Sequence, residues 1–371
     1  MTVMFPSIAE ELHDEYTQDH DLPWVIGYSG GKDSTLLVHL VFEMLVELFP
    51  SQRIRPVHVI ANDTLVESPL VVRHLEESIS EIKYGASALG LPVTVSITRP
   101  EVNESFWVNL IGRGYPSPNR VFRWCTNRMK IRPTIRYITN CIQQSNGTIL
   151  LLGVRSAESA ARARIAKRHD NGKRLNPHSN LANCKVFRPI LHLSTDEVWE
   201  YLATNNPPWG GTHRKLISLY RDAGGGECPV ITEKEEVASC GTTSSRFGCW
   251  TCTVVKKDRS LEGFVESGFT EFGPLLNFRD WLAELRDNPE RRQITRRDGR
   301  LTYTAGGRYI MGPFTIHTRM EILDKLLELQ EEVGMSLISS EECNEIKNIW
   351  VGDLTETPKP MAIFKQSEQK R

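Results

Sequence analysis

One junction restricts the fold more than anything else in the chain. The apolar run Trp24-Val25-Ile26-Gly27-Tyr28 passes directly into Ser29-Gly30-Gly31-Lys32-Asp33-Ser34-Thr35. Leu36, Leu37, Leu40, Val41, Met44, Leu45 and Leu48 then recur at helical spacing. A buried strand, a glycine turn and a helix, in that order, open an α/β unit. The two glycines let the backbone turn tightly, so several amide N–H groups can face one anion. The start of the helix adds its partial positive charge. Lys32 brings a full charge, and Ser29, Ser34 and Thr35 bring hydroxyl donors. Such a loop suits a pyrophosphate or the tail of a nucleotide. It is not a Walker A loop, because Gly27 does not stand in the register that pattern needs.

The same alternation continues. Val57 to Ile60 and Val93 to Ile97 read as strands, with a helix from Pro69 to Leu89 between them. A loop rich in Pro and Arg runs from Gly112 to Trp124, a helix spans about Met129 to Cys141, and Ile149 to Gly153 is a fourth strand. Strands separated by helices predict a mostly parallel sheet with helices on both faces. Arg155 to Asn183 is long, polar and basic, and is expected to be a loop over the active face. Ser194 and Glu197 are spaced as a capping box. Beyond Asn205, Pro207-Pro208 and Gly210-Gly211 read as a linker. The expected division is therefore 1–205 as an α/β domain, 206–354 as a cysteine-containing helical domain with a helix over Arg319 to Val333, and 355–371 as a disordered tail.

Composition excludes several functions. Lys and Arg number 45 against 46 Asp and Glu, so the chain as a whole is not a polyanion binder and any nucleic-acid surface is local. No stretch approaches the roughly 18 apolar residues of a membrane span. Met1 to Leu22 is acidic and lacks the order of a signal peptide. Eight cysteines without such a signal predict a reducing, cytoplasmic setting, with metal binding or catalysis ahead of disulfides.

The loop resembles a known family. Ser-Gly-Gly-Lys-Asp-Ser is the signature of PP-loop ATP pyrophosphatases, which cleave ATP between the α- and β-phosphates and adenylate an oxygen for displacement. The resemblance implies a Rossmann-like doubly wound parallel sheet, ATP and Mg²⁺ as cofactors, and contacts to them from Ser29 through Thr35. Three further segments resemble the phosphoadenylylsulfate (PAPS) reductase-like branch. Cys125-Thr126-Asn127-Arg128-Met129-Lys130 with Pro133 is similar to its Cys…Lys…Pro segment. Gly153-Val154-Arg155-Ser156-Ala157-Glu158-Ser159 with Arg162 is similar to its Gly-x-Arg-x-x-Glu-Ser-x-x-Arg motif. Asn62-Asp63-Thr64 falls where the family contacts adenosine. By this resemblance Lys32 and Asp33 are catalytic, Asp63, Arg155, Glu158 and Arg162 bind nucleotide, and Asp33 holds Mg²⁺. Cys125, close in sequence to Arg120, Arg123 and Arg128, is expected to have a favoured thiolate that relays sulfur, or to be a buried structural thiol.

Cys228, Cys240, Cys249 and Cys252 form a second constellation. Cys249-Trp250-Thr251-Cys252 can chelate one centre from a single turn, and two distant cysteines complete four thiolates. From spacing alone, an iron–sulfur cluster, zinc and unliganded thiols all stay open. A reductase-like PP-loop domain joined to such a region resembles the DndC and SspD sulfurtransferases of DNA phosphorothioation. The segment Gly312-Pro313-Phe314-Thr315 and the Leu-rich helix after it add to the likeness. That resemblance implies a [4Fe–4S] cluster on the four cysteines, DNA as substrate, a cysteine desulfurase as sulfur donor and other phosphorothioation-system proteins as partners. Two basic segments stand out, Arg155 to Arg174 and Arg291 to Arg300; the start of the first, with Arg155 and Arg162, is expected to meet ATP, and its remainder (Arg164, Lys167, Arg168, Lys173 and Arg174) and the second segment are expected to meet DNA. The rivals are a PAPS or adenylylsulfate reductase, a tRNA-thiolating enzyme, and a non-catalytic ATP-binding subunit that positions DNA.

Overall fold

The computed structural model describes residues 4–158, 173–224 and 247–355. Its centre is a sheet of six strands: β1 (Trp24–Tyr28), β2 (Val57–Asn62), β3 (Val93–Thr98), β4 (Thr148–Leu152), β5 (Leu175–Pro177) and β6 (Cys184–Phe187). Their order is β3-β2-β1-β4-β6-β5. All neighbours pair in parallel except β5, which runs antiparallel to β6 at the edge. Trp24, Val25 and Ile26 are fully buried, as expected of a central parallel strand covered on both faces. The covering helices are α1 (Pro6–Tyr16), α2 (Lys32–Glu47), α3 (Pro69–Ala88), α4 (Arg132–Ser145), α5 (Thr195–Thr204) and α6 (Arg214–Asp222). This is the expected doubly wound, mostly parallel fold.

One detail differs from the sequence reading. The polar stretch expected to be loop from Arg155 to Asn183 carries the edge strand β5, and β6 follows directly after it. β5 holds three residues and ends on Pro177, which an edge strand tolerates because one side needs no ladder donor. The capping box at the start of α5 forms as expected: Glu197 N–H donates to the Ser194 hydroxyl at 3.2 Å, and Ser194 N–H donates to the Glu197 carboxylate at 2.7 Å.

Strand order fixes where a ligand can sit. From β1 the chain builds outward through β2 and β3, and then returns to place β4 on the other side of β1. The carboxyl ends of β1 and β4 therefore form the switch point at which doubly wound sheets leave a crevice. Both the glycine loop and Gly153-Val154-Arg155 emerge there.

A second core lies beyond that edge, with helices α7 (Arg259–Glu266), α8 (Gly273–Asp287), α9 (Ile316–Val333) and α10 (Ser340–Thr355). It is built from both parts of the chain. Val66, Phe106, Trp107, Trp124 and Met129 pack with Trp250, Phe264, Phe278, Phe314, Ile322 and Trp350. The Trp107 indole donates to the Leu337 carbonyl at 2.7 Å, and the Trp350 indole to the Ile111 carbonyl at 3.0 Å. Losing one such buried ring costs about 3–5 kcal/mol, so the segment after β3 is firmly anchored among the C-terminal helices. The tail beyond 355 lies outside the described residues. No helix among the described residues is long and apolar enough to cross a membrane.

Candidate active site

Gly30 adopts a left-handed φ of 72°, and a side chain there would meet Leu75 at 3.2 Å. Its carbonyl is only an acceptor, so His74 must carry its proton on Nε2, which donates to it at 3.0 Å. Burial, the largest influence on this imidazole, holds it below its ordinary pKa, consistent with a neutral ring in that role. The Ser34 hydroxyl donates to the Gly31 carbonyl at 3.0 Å and accepts from Ser29 N–H at 3.2 Å. These serines shape the loop that opens α2.

Lys32 and Asp33 occupy the first turn. The Lys32 ammonium lies 3.7 Å from the Asp33 carboxylate and 5.2 Å from the centre of the Tyr220 ring. Its backbone N–H donates to the Tyr220 hydroxyl at 3.3 Å. Arg155, which is fully buried, donates from Nε to Asp33 at 2.6 Å. The same guanidinium reaches the Leu193 carbonyl and the Thr195 hydroxyl, each at 3.2 Å. Arg155 thus braces the start of α2 against the start of α5. Gly153 makes the approach possible, since a Cβ there would lie 2.9 Å from the Asp33 carbonyl oxygen. Glu158 ends a short 3-10 turn over Ser156–Glu158. Arg162 lies outside the described residues.

Asp63 directly follows β2 and is engaged locally. One oxygen accepts from Leu65 N–H at 2.9 Å and the other from Arg99 Nε at 2.9 Å, which fixes the turn into α3. That turn carries the cysteines. Glu67 bridges to Cys249, Trp250 N–H donates to the Val66 carbonyl at 3.0 Å, and the Thr64 hydroxyl sits 3.4 Å from the Cys249 sulfur. Cys252 N–H closes the turn onto the Cys249 carbonyl at 3.0 Å. Burial pushes the Cys249 thiol up to about 12, although the nearby Lys130 ammonium opposes this. Lys130 pairs with Glu67 at 3.3 Å. Burial acts to lower its pKa, but the charges of Cys249 and Glu67 outweigh that and hold it above the usual lysine value.

Of the two readings of Cys125, its setting is that of the buried thiol. Its pKa is raised, first by burial and then by the charge of Cys252, and the nearby arginines do not offset this. Those arginines point elsewhere: Arg120 and Arg123 are exposed, and Arg128 donates to the Tyr115 hydroxyl at 3.2 Å. Cys228 and Cys240 lie outside the described residues, and among the described residues no three Cys, His, Asp or Glu side chains are arranged around a metal. The Cys249–Cys252 turn fits half of a four-thiolate site. Its soft sulfur donors are half-buried beside the Lys130 ammonium, a donor set that suits a thiophilic metal centre.

In the second basic segment several arginines are engaged within the chain, while Arg300 is exposed. Arg292 is half-buried on the carbonyls of Gly312 at 2.7 Å, Arg286 at 2.9 Å and Met311 at 3.1 Å. Arg297 pairs with Asp353 at 3.2 Å, and Arg291 with Glu321. Arg174 pairs with Asp14 and Glu15, while Arg164, Lys167 and Arg168 lie outside the described residues. Tyr220, His74 and Arg99 carried no sequence signal, because each reaches the site from a distant element.

The phosphoadenosine phosphosulfate reductase domain model matches residues 23–255. An uncharacterized protein of Methanocaldococcus jannaschii is 26% identical over 193 residues, a match covering 52% of this chain and 34% of that protein. The chain thus spans about a third of the length of that relative. A PAPS reductase of Candida auris in its phosphate complex is similar at a TM-score of 0.32 and 14% identity, covering 53% of this chain and 77% of that one. A tRNA thiolase of Methanococcus maripaludis with its [4Fe-4S] cluster is similar at 0.34 and 14%, covering 60% and 75%. With well over half of its sequence matched by the domain model, the chain belongs to the phosphoadenosine phosphosulfate reductase domain family.

Proposed function

We propose that this protein is an ATP pyrophosphatase and sulfurtransferase that adenylates a backbone phosphate oxygen of DNA for replacement by sulfur. The observation that supports it is the Lys32-bearing anion loop at the sheet's switch point, on the same edge as a turn of thiols. A phosphate oxygen of DNA attacks the α-phosphorus of ATP, and pyrophosphate leaves toward the loop. The loop amides and Lys32 stabilise charge where it develops. Mg²⁺ enters with the nucleotide as part of the substrate, and Asp33 is the loop's own carboxylate for it. The terminal sulfur of a persulfide, supplied by a cysteine desulfurase, then attacks the activated phosphorus and AMP leaves with the oxygen. A second thiol releases the phosphorothioate by closing a disulfide with the carrier cysteine. Cys125 beside Cys252 offers a thiol in that neighbourhood.

Cys228, Cys240, Cys249 and Cys252 would hold a [4Fe–4S] cluster, one thiolate to each iron, and such a cluster would supply electron transfer when bound. Other phosphorothioation-system proteins would present the DNA. The reading is tested with α- and γ-labelled ATP, DNA, sulfur donor and partner proteins, followed by mass spectrometry of the nuclease-digested DNA. AMP, pyrophosphate and phosphorothioate dinucleotides are expected. ADP with orthophosphate would overturn the pyrophosphatase reading, and sulfur found in tRNA instead would move the substrate to RNA.

A further inference from the structure

The sequence from 105 to 157 contains no Asp or Glu and eight Lys or Arg, in a chain whose charges otherwise balance at 45 to 46. Part of this charge is met from outside the stretch. Lys130 pairs with Glu67, while Arg132 and Arg136 pair with Glu104. Arg155 is buried on Asp33. Arg113, Arg120, Arg123 and Arg128 have no carboxylate in ion-pair range among the described residues.

The turn that carries two of them is rigidly mounted. The Asn119 side chain accepts from Val121 N–H at 2.9 Å and from Phe122 N–H at 2.8 Å, which closes the turn on itself. Its entry is pinned by the Thr253 hydroxyl on the Pro118 carbonyl at 2.6 Å and by Ser117 on the Leu282 carbonyl at 3.1 Å. Its exit is Trp124, a buried ring stacked on Phe106 at 5.3 Å whose indole donates to the Pro116 carbonyl at 3.0 Å. From that anchor the rings step outward, Trp124 to Tyr115 at 5.6 Å and Tyr115 to Phe122 at 6.1 Å. The tip they support is Arg120-Val121-Phe122-Arg123, with Val121 97% exposed and Phe122 42% exposed. The turn thus shows Val121 and one side of the Phe122 ring to solvent between two guanidinium groups with no carboxylate in ion-pair range among the described residues. Cys125 follows two residues after Arg123, beside Cys252.

We infer that the Arg120–Arg123 turn docks a locally unpaired strand of DNA and leads it to the cysteine turn. This deepens the function proposed above and rests on it for the choice of DNA. Guanidinium groups bind phosphates on either side of a ring that stacks on an unpaired base, the combination used to track single strands. Arg128, stacked on Tyr115 at 5.4 Å, and Arg113 extend the positive surface behind the tip.

The test is fluorescence anisotropy of the full chain with a labelled single-stranded oligodeoxynucleotide, its duplex and an RNA of the same sequence, across a salt series. Arg120→Gln/Arg123→Gln should reduce the slope of log affinity against log salt by about 1.4, two single-strand phosphate contacts at about 0.7 each. Phe122→Ala should weaken single-stranded DNA by about five-fold or more, from at least about 1 kcal/mol of stacking, and change the duplex less. All of these side chains are exposed, so melting temperature and ATP binding without DNA serve as controls and should match wild type. Equal DNA affinity and salt slope for variants and wild type would overturn the inference, as would binding of the RNA alone. Retained DNA binding with ADP as the nucleotide product would sink the proposed reaction and leave this surface standing.

Discussion

Replacing Asp33 by alanine takes a carboxylate away from a buried guanidinium. Arg155 is fully buried, and the Asp33 carboxylate lies 2.6 Å from its Nε. Removing one member of a buried pair costs about 3–5 kcal/mol, because the remaining charge keeps its desolvation and loses that attraction. The Asp33 side chain is itself only 12% exposed, so solvent screening relieves little of this. Unfolding entropy of about 2.1 cal/mol/K per residue over 371 residues gives about 0.8 kcal/mol/K. The expected fall in melting temperature is therefore about 4–6 °C. Truncating both partners, Asp33→Ala with Arg155→Met, removes the buried charge as well and should recover at least half of the loss. Thermal melts of the four proteins of this double-mutant cycle check the coupling directly. A single variant melting within about 1 °C of wild type, or losses that simply add, would refute the argument that this pair braces the phosphate loop.

Other consequences can be measured separately. Lys32→Ala should slow pyrophosphate release on the order of 10²-fold, the loss typical of one transition-state donor; an unchanged rate would remove Lys32 from the chemistry. Cys249→Ser or Cys252→Ser should abolish bound iron and acid-labile sulfide in anaerobically purified protein, whereas stoichiometric zinc without sulfide in the wild type would exclude the cluster. His213 packs at 3.1 Å from His39, and burial first, then His39, pulls its pKa down to about 3. The unfolded chain takes up this proton near pH 6.5 and the folded chain does not. Stability is thus fully present above about pH 6.5 and lost as pH falls toward 3, by up to about 1.4 kcal/mol per unit. His213→Gln should flatten that acid limb of the unfolding profile; an unchanged slope between pH 4 and 6 would show that His213 is protonated in the fold.

The parts of the fold legible in the sequence are those whose burial is uniform. β1, β2 and β4 are near-continuous apolar runs because helices cover both faces, and α2 follows a glycine pair whose geometry is local. β5 and β6 were not legible, since three residues ending in proline and four containing Lys185 carry no usable period. The anion loop was readable for the same local reason. Its supports were not: Arg155 is 122 residues from Asp33, and Tyr220 is 188 from Lys32. Cys125 shows the limit most plainly. Sequence neighbours suggested a cationic setting, but tertiary packing turned Arg128 onto Tyr115 and set Cys125 beside another thiol.

Strand order also explains why nucleotide loop and thiols share one rim. In a doubly wound sheet every parallel strand ends on the same side, so the segments leaving β1, β2 and β4 converge there. The segment leaving β1 is the anion loop. The one leaving β2 is pinned by Asp63 and then holds the Cys249–Cys252 turn through Thr64, Val66 and Glu67. The one leaving β4 supplies Arg155 to lock the first turn of α2. On the proposed reaction, activation belongs to the first segment and sulfur transfer to the second, with the phosphate held at the rim they share. On the same proposal the Arg120–Arg123 turn, fixed to the second core and followed directly by Trp124 and Cys125, holds the strand that carries this phosphate.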